Sequence, residues 1–346
     1  MAASSMVASR LGIALVVLAL LSLGACKSVG TAFNPPGGEV PASNTLFVAN
    51  YGNSTVNEYR APFTGAATTI SNGINGPYPL TVDSSGNLWV ANYGNSTVTE
   101  YTKGNYAGAP AVTISNGINN PDVIITDSSS DVFVANDNGS VNEYVAGNYT
   151  GAPVAISNGV DGPDFGLAVD SSGDLFVSNH SNSTVTEYAK GSYSGAPIAT
   201  ISNGLNDPAQ LVLDSSGDLF VANANNSTVT EYARGNYTGA PIATISNGVD
   251  DPYAIALDTS GDLFVANYTI GTVTEYTKGN YTSAPATTIT GFGSYIQSLA
   301  IDSKGRLFVA DYENSEVKIY TKGSYTGTPT VISGLSEPYY LAIYPR

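Results

Sequence analysis

A segment close to Leu-Phe-Val-Ala-Asn occurs seven times along this chain, and this repetition restricts the fold more than any other feature of the sequence. The copies begin 42 to 44 residues apart, at Leu46, Leu88, Val132, Leu175, Leu219, Leu263 and Leu307. A fixed period of this length indicates an array of supersecondary units, each of which buries its apolar face against the next unit.

Each unit contains four short runs of alternating or β-branched residues, separated by turn signals. In the second unit these runs are residues 80–83, 88–92, 97–101 and 111–115. Turn sequences such as Asp-Ser-Ser-Gly and Tyr-Gly-Asn-Ser stand between them. Four strands in a repeat of just over forty residues predict one blade of a β-propeller.

The two ends of the repeat region determine the number of blades. The first unit lacks a leading strand, whereas the chain ends in a leading strand at residues 338–344 that no blade follows. Residues 341–344 therefore complete the first blade, which closes the ring without leaving an unpaired sheet edge. The predicted fold is all-β, a seven-bladed β-propeller of four-stranded blades spanning residues 44–346.

The repeat resembles that of the NHL-repeat β-propellers. The resembling pattern is Pro-x-x-Leu-Ala-Val-Asp-x-x-Gly-x-Leu-Phe-Val-Ala-Asn, present here as NGVDDPYAIALDTSGDLFVAN at residues 247–267. The similarity extends over essentially the whole repeat region and implies the propeller fold. It implies little about function, because such propellers include both binding modules and enzymes.

The N-terminus resembles a bacterial lipoprotein signal. The apolar run at residues 11–25 has the length of a signal-peptide core and is short for a membrane span. Its last residues, Leu-Gly-Ala-Cys, resemble a lipobox, which implies lipidation of Cys26 and removal of residues 1–25. An ordinary secretory signal followed by a chance cysteine is the alternative.

The residues after Cys26 bear on the location of the protein. Residues 26–43 are rich in Pro, Gly and Ser and predict a flexible tether. Lys27 stands where the lipoprotein resemblance would place an aspartate for retention in the inner membrane. We therefore expect an exported protein, anchored in the cell envelope through its N-terminal lipid and located at the outer membrane.

Composition excludes several classes of function. The net charge is −16 and no basic cluster offsets it, so no nucleic-acid partner is expected. Cys26 is the only cysteine, which excludes an internal disulfide and a thiol catalyst. The single histidine, His180, cannot form the three-histidine zinc site of amidating-lyase propellers. We expect a monomer.

One aspartate recurs in six of the seven units. It opens a hairpin loop, where a carboxylate accepts hydrogen bonds from the turn backbone. The positions are Asp83, Asp127, Asp170, Asp214, Asp258 and Asp302. A metal-binding ring of aspartates is the alternative, but Tyr344 takes the seventh place, and the turn role already explains the others.

Function in a ring of near-identical units is expected where the units differ. Pairing Asp83 with Leu88 across the hairpin sets Tyr78 opposite Tyr93, at the upper rim near the mouth of the central channel. The same count in blades one to seven gives Tyr339/Tyr51, Tyr78/Tyr93, Asp122/Asp137, Phe165/His180, Ala209/Ala224, Tyr253/Tyr268 and Gln297/Tyr312. These pairs predict an aromatic arc on blades six, seven, one and two, a polar notch on blades three and four, and a small-residue gap at blade five.

The polar notch is the feature that cross-strand packing does not explain. Asp122 opposite Asp137 sets two like charges against each other, which destabilises a sheet. A cation, a ligand donor or plain solvent exposure would remove this cost. With Asp164, an extra residue in blade four, these aspartates are candidate ligands for Ca²⁺ or a similar divalent cation, although backbone carbonyls and waters would have to complete the coordination.

These features favour a lipid-anchored, non-catalytic propeller that binds a protein, peptide or glycan through its upper rim. The candidate binding residues are Asp122, Asp137, Asp164, Phe165, His180, Tyr51, Tyr78, Tyr93, Tyr253, Tyr268, Tyr312 and Tyr339. We assign no catalytic residue. One alternative is a metal-dependent hydrolase or lyase, lactonase-like or streptogramin-lyase-like, with its site at blades three and four. The other is a structural envelope protein.

Overall fold

A computed structural model describes residues 44–163 and 165–344, which form seven four-stranded antiparallel sheets arranged as the blades of a propeller. The predicted all-β, seven-bladed fold is confirmed. The predicted signal peptide, Cys26, the tether and Asp164 lie outside the described residues. Within the described residues, no helix is long and apolar enough to cross a membrane.

The first four blades follow the chain, except that the C-terminal strand joins blade one. Blade one contains β1 (Thr45–Asn50), β2 (Thr55–Arg60), β3 (Thr68–Ile70) and β28 (Pro338–Tyr344). Blade two contains β4 (Pro77–Val82), β5 (Leu88–Asn92), β6 (Thr97–Tyr101) and β7 (Val112–Ile114). Blade three contains β8 (Pro121–Thr126), β9 (Val132–Asn136), β10 (Ser140–Tyr144) and β11 (Val154–Ile156). Blade four contains β12 (Leu167–Val169), β13 (Leu175–Asn179), β14 (Thr184–Tyr188) and β15 (Ala199–Ile201).

The last three blades repeat the same order. Blade five contains β16 (Pro208–Leu213), β17 (Leu219–Asn223), β18 (Thr228–Tyr232) and β19 (Ala243–Ile245). Blade six contains β20 (Pro252–Leu257), β21 (Leu263–Asn267), β22 (Thr272–Tyr276) and β23 (Thr287–Ile289). Blade seven contains β24 (Ile296–Ile301), β25 (Leu307–Asp311), β26 (Glu316–Tyr320) and β27 (Thr330–Ile332). Two short 3-10 helices span Tyr51–Asn53 and Tyr93–Asn95.

The first strand of each blade, which is β28 in blade one, is innermost and contacts the first strands of the neighbouring blades around the central channel. We call the turn between first and second strands the lower hairpin, and the turn between third and fourth strands the lower loop. The turn between second and third strands is the upper loop. The segment that leads into the next blade is the inter-blade loop, and it bonds to the upper loop, as where Tyr93 N donates to Gly76 O at 3.0 Å. These connections form the lower and upper rims.

The C-terminal strand closes the ring. β28 pairs antiparallel with β1 over Thr45↔Tyr344 to Asn50↔Pro338, and it therefore serves as the first strand of blade one. Leu341 and Ile343 are buried there in one cluster with Leu46 and Val48. The closure predicted for residues 341–344 is confirmed.

The repeated aspartates hold the lower hairpins. In blade two, Asp83 Oδ1 accepts hydrogen bonds from the backbone N–H groups of Ser85 and Asn87, both at 2.9 Å. Asp127, Asp170, Asp214, Asp258 and Asp302 accept the equivalent pairs. The turn role predicted for these residues is confirmed.

The hairpin register differs by one residue from the prediction. Leu88 pairs with Val82, whereas the sequence count paired it with Asp83. Asp83 instead stands opposite Asn87, to whose carbonyl it donates its N–H at 3.0 Å. Because the Asp83 carboxylate also binds the Asn87 N–H, the loop closes one residue earlier than predicted.

An aromatic pair joins each blade to the next at the lower rim. A Phe or Trp on the second strand meets the edge of a ring in the lower loop of the following blade, with centroids 4.7 to 5.3 Å apart. In the first such contact, Phe47 meets Tyr106, whose hydroxyl donates to Gly86 O at 2.7 Å. Phe63 replaces the tyrosine in blade one and packs against Phe308. The repeated residues thus hold the hairpins and the contacts between blades. A functional site is therefore expected at the upper rim, where the blades differ.

Candidate functional site

A cavity of about 260 Å³ occupies the upper mouth of the central channel. All seven blades contribute to its wall. The lining residues are Tyr78, Asp122, Val123, Phe165, Gln210, Tyr253, Tyr268, Gln297, Tyr339 and Tyr340. Its volume lies just below the range typical of small-molecule pockets, so it would hold a small ligand or part of a larger one.

Irregular strand pairing brings these residues to the channel. In blade two the register shifts between Pro77 and Leu80, which is the position of Tyr78. Similar shifts occur at the upper ends of the first strands in blades one, three, five, six and seven. A β-bulge re-aims side chains and is frequent beside binding sites. The sequence predicted that Tyr78 and Tyr93 are direct partners in the sheet, and this register is not present. Their rings are nevertheless close, with centroids 5.5 Å apart.

Tyr78 and Tyr339 form the aromatic wall on blades one and two. Their ring centroids are 4.2 Å apart and their hydroxyl oxygens lie 2.5 Å apart. Burial raises the pKa of Tyr78 to about 12 and raises the pKa of Tyr339 still further. Both phenols are therefore neutral near pH 7.

The other tyrosines of the predicted arc surround this wall. Tyr51 lies 6.2 Å from both Tyr78 and Tyr339, and Tyr312 lies 5.8 Å from Tyr339, measured between ring centroids. Tyr51 is 37% exposed. Tyr51, Tyr93 and Tyr312 do not line the cavity, so they form its outer margin.

Phe165 joins blade four to blade six. Its ring centroid lies 5.2 Å from that of Tyr253, which stacks on Tyr268 at 4.6 Å. Between them, the small Ala209 of blade five leaves room for the phenylalanine, which packs against the same cluster. The small-residue gap predicted at blade five is therefore filled by Phe165.

His180 packs edge-on against Phe165, with ring centroids 5.3 Å apart. The sequence predicted a cross-strand pair, but Phe165 precedes β12 and the His180 N–H donates to Gly162 O, so the two residues meet through their rings alone. His180 Nδ1 also bonds to Asp207 Oδ1, a residue of the next inter-blade loop. Neither His180 nor Asp207 lines the cavity, so this pair lies on the upper rim beside it.

The two aspartates of the predicted notch have different surroundings. Asp122 is half-buried and lines the cavity. Asp137 is exposed and accepts a hydrogen bond from the Tyr93 hydroxyl at 3.4 Å. Residues 44–163 and 165–344 contain no group of three or more His, Cys, Asp or Glu side chains placed to hold a metal ion. Because Asp164 is outside these ranges, the metal site on Asp122, Asp137 and Asp164 stays a prediction.

The sequence analysis missed three lining residues, Val123, Gln210 and Tyr340. Each follows directly after a predicted rim position (Asp122, Ala209 and Tyr339, respectively), and the prediction assumed that neighbouring residues face opposite sides of a regular strand. The irregular pairing removes that alternation. Gln210 is also fixed, because its Oε1 accepts the Ile255 N–H at 2.6 Å across the blade boundary. Variation at this second position among the blades was the available signal.

Structural comparisons show the same fold in several solved proteins. A putative 6-phosphogluconolactonase from Bacteroides fragilis matches with a TM-score of 0.70 and 16% identity, covering 89% of this chain and 99% of that one. A functionally unknown protein from Desulfotomaculum acetoxidans matches at 0.73 and 13% identity, covering 88% and 100%. A streptogramin B lyase matches at 0.64 and 11% identity, covering 87% and 91%. At these identities the likeness concerns the fold alone.

Comparisons by sequence match a smaller part of the chain than the structural comparisons do. No curated protein matches the chain. One family model, that of the NHL repeat, matches residues 294–320, which contain the first three strands of blade seven. This match confirms the resemblance noted in the repeats. The chain is a seven-bladed β-propeller that carries a recognised NHL repeat.

Proposed function

We propose that this protein is a non-catalytic binding module of the cell envelope that takes its ligand at the upper mouth of the central channel. One observation supports this most directly. The positions at which the blades differ surround a single cavity, whereas the repeated positions hold the hairpins and the blade contacts. Anchoring through a lipid on Cys26 at the outer membrane belongs to the same proposal.

The chemistry of the lining supports binding. Its aromatic rings offer large, rigid surfaces, and Gln210, Gln297 and Asp122 add a few polar groups that orient a ligand. General acid–base catalysis needs a side chain that is placed to transfer a proton and has a pKa near the working pH. Among the described residues, Asp122 is the one acidic group of the lining, and the other lining side chains are neutral amides, phenols and apolar groups, which fits recognition better than turnover.

A ligand screen followed by a double substitution tests the proposal. We expect at least one member of a panel of monosaccharides, short peptides and small metabolites to raise the melting temperature of the mature protein. Saturation at about a hundred times Kd would shift it by roughly 5 °C. The Tyr78→Ala/Tyr268→Ala variant should lose this shift because both rings line the cavity.

Tyr344→Ala is the matched control. Tyr344 is an aromatic residue at the lower rim that bonds Lys103 Nζ at 3.0 Å and lies away from the cavity. An equal loss of the shift in this variant, or no shift with any member of the panel, would refute the proposal.

The alternative with specific structural support is a hydrolase or lyase. A histidine bonded to a carboxylate is the arrangement of many general bases, and His180 with Asp207 presents it beside the cavity. Proteins described as a lactonase and as a lyase share the fold. Turnover of a sugar-phosphate lactone or a streptogramin B by the purified protein, lost in His180→Ala, would favour this alternative over the binding module.

A further inference from the structure

The described cationic side chains are distributed unevenly over the ring. Apart from Lys318, every described lysine and arginine lies in a lower hairpin, in a lower loop or at the lower end of a third strand. Lys318 bonds Asp311 at 2.6 Å within blade seven. The described part of the upper rim instead carries carboxylates, among them Asp122, Asp137, Asp161, Asp207, Asp250 and Glu337. A ligand approaching the cavity therefore meets a negative potential.

In the part of the chain that the structure describes, the cavity combines aromatic rings with one carboxylate. Tyr78, Tyr253, Tyr268, Tyr339 and Tyr340 line it together with Phe165. Asp122 stands in the same wall, close enough to Tyr78 that its negative charge contributes to the raised pKa of that phenol. No lysine, arginine or histidine is among the lining residues within the described chain. Uncharged rings around a single acidic group are the surroundings that attract an organic cation, through the ring quadrupoles and the carboxylate together.

We propose that the cavity binds the positively charged head of a small organic ammonium compound, with Asp122 as its counter-ion and the tyrosine rings as its walls. This rests on the proposed binding function and specifies its ligand class. A methylated ammonium group suits the site best, because it is bulky enough to contact several rings at once and is weakly hydrated. Its contacts are with ring faces and with the Asp122 charge, so it does not require the tyrosine hydroxyls or glutamine amides of the lining as hydrogen-bond acceptors.

Other ligand classes fit these walls less well. A phosphate or carboxylate ligand would be repelled by Asp122 and would find no cationic partner among the described lining residues. A hydrated divalent cation would prefer several oxygen ligands, and rings occupy most of the wall. A neutral sugar would stack on the tyrosines but gain nothing from the negative rim, so it is the alternative that the experiment has to separate.

The test compares ligands that differ in charge and share their shape. Choline and tetramethylammonium are titrated into the mature protein by calorimetry at constant ionic strength. Dimethylbutanol, the neutral carbon isostere of choline, and glucose are titrated in parallel. We expect choline to bind at least about tenfold more tightly than dimethylbutanol, since only the cation gains from the rings and the carboxylate. This comparison uses the unmodified protein and does not depend on the folding of any variant.

Substitution then locates the site. Asp122→Asn should weaken choline binding about tenfold, because it removes the charge while keeping the shape. Asp161→Asn is the matched control, since Asp161 is an exposed upper-rim aspartate outside the cavity lining. Its effect should be less than about twofold.

Each contrary result has its own meaning. Equal binding of choline and dimethylbutanol, or binding of glucose alone, overturns the ammonium proposal and leaves the binding function in place. Equal losses in the Asp122 and Asp161 variants overturn the assignment to the cavity. If no probe binds, the ammonium proposal fails, and the wider ligand panel decides the binding function separately.

Discussion

Asp311 and Lys318 in blade seven replace a neutral contact used by other blades. In blades two, four, five and six, an asparagine at the end of the second strand donates from its amide to a threonine hydroxyl on the third strand, as Asn92 does to Thr99 at 3.1 Å. Lys318 Nζ bonds Asp311 Oδ2 and also donates to Gly291 O, both at 2.6 Å. The side chain of Asp311 is 0% exposed, and Lys318 is its cationic partner, while the Gly293 N–H and the Asn314 amide also donate to the carboxylate.

The ion pair allows a stability prediction at the residue scale. Lys318→Thr should lower the free energy of unfolding by about 3–5 kcal/mol, because it leaves the buried Asp311 charge without its cationic partner. Adding Asp311→Asn recreates the asparagine–threonine contact of the other blades and should recover most of the loss. Urea unfolding of both variants measures this. A double variant as unstable as the single one would contradict the interpretation.

At the scale of the strand, the third strands carry glutamates close to the aspartates of the lower hairpins. Burial, with a smaller contribution from neighbouring aspartates, raises the pKa of Glu143, Glu187 and Glu231 to about 7. Lysines reach across from the following blade and offset part of this repulsion, as Lys190 does toward Asp127 at 3.9 Å. The folded protein therefore retains protons that the unfolded chain releases at lower pH.

This shift predicts how stability depends on pH. Below about pH 4.5 a glutamate is protonated in both states, but between that value and 7 only the folded state keeps the proton. The contribution of these groups to stability thus falls as pH rises through this window. The melting temperature should be higher at pH 5 than at pH 7.5, by roughly 5 °C.

Two substitutions check the origin of the pH dependence. Glu143→Gln should reduce the difference in melting temperature between the two pH values, because the amide does not titrate. Glu313→Gln, on the exposed upper rim, should leave it unchanged. A difference that persists undiminished in Glu143→Gln would show that other groups cause it.

The roles of repeated residues could be predicted from the sequence. The positions of side chains on irregular strands could be predicted only in part. The hairpin role of Asp83 was predictable because the same residue recurs with the same turn. The position of Phe165 beside Tyr253 was not, since it depends on the space above Ala209 in another blade. Gln210 and Tyr340 were missed because a strand pattern of period two does not describe a bulge.

At the scale of the whole molecule, the ring depends on a contact between its two ends. β28 supplies the inner strand of blade one and covers the edge of β1. It also touches the first strands on either side, β4 and β24. Its loss would remove buried apolar side chains and expose the β1 edge to pairing with other molecules.

Deletion of residues 338–346 tests this closure. The truncated protein should melt at least about 10 °C lower, because burial of Leu341 and Ile343 alone contributes about 3–6 kcal/mol. It should also form aggregates, detected by light scattering. A synthetic peptide of residues 338–344, added in excess, should restore part of the stability, whereas a scrambled peptide should not. An unchanged melting temperature after deletion would show that closure contributes little.

Asn44 shows on which face the N-terminal segment joins the ring. It lies at the lower rim, where its side-chain amide donates to Asp302 Oδ2 at 2.8 Å and its carbonyl accepts the Ala61 N–H. The preceding 43 residues therefore join the ring on the face opposite the cavity. If that segment is held at a membrane, the cavity opens on the face of the ring opposite the attachment point, where the anchor does not obstruct the entry of a ligand.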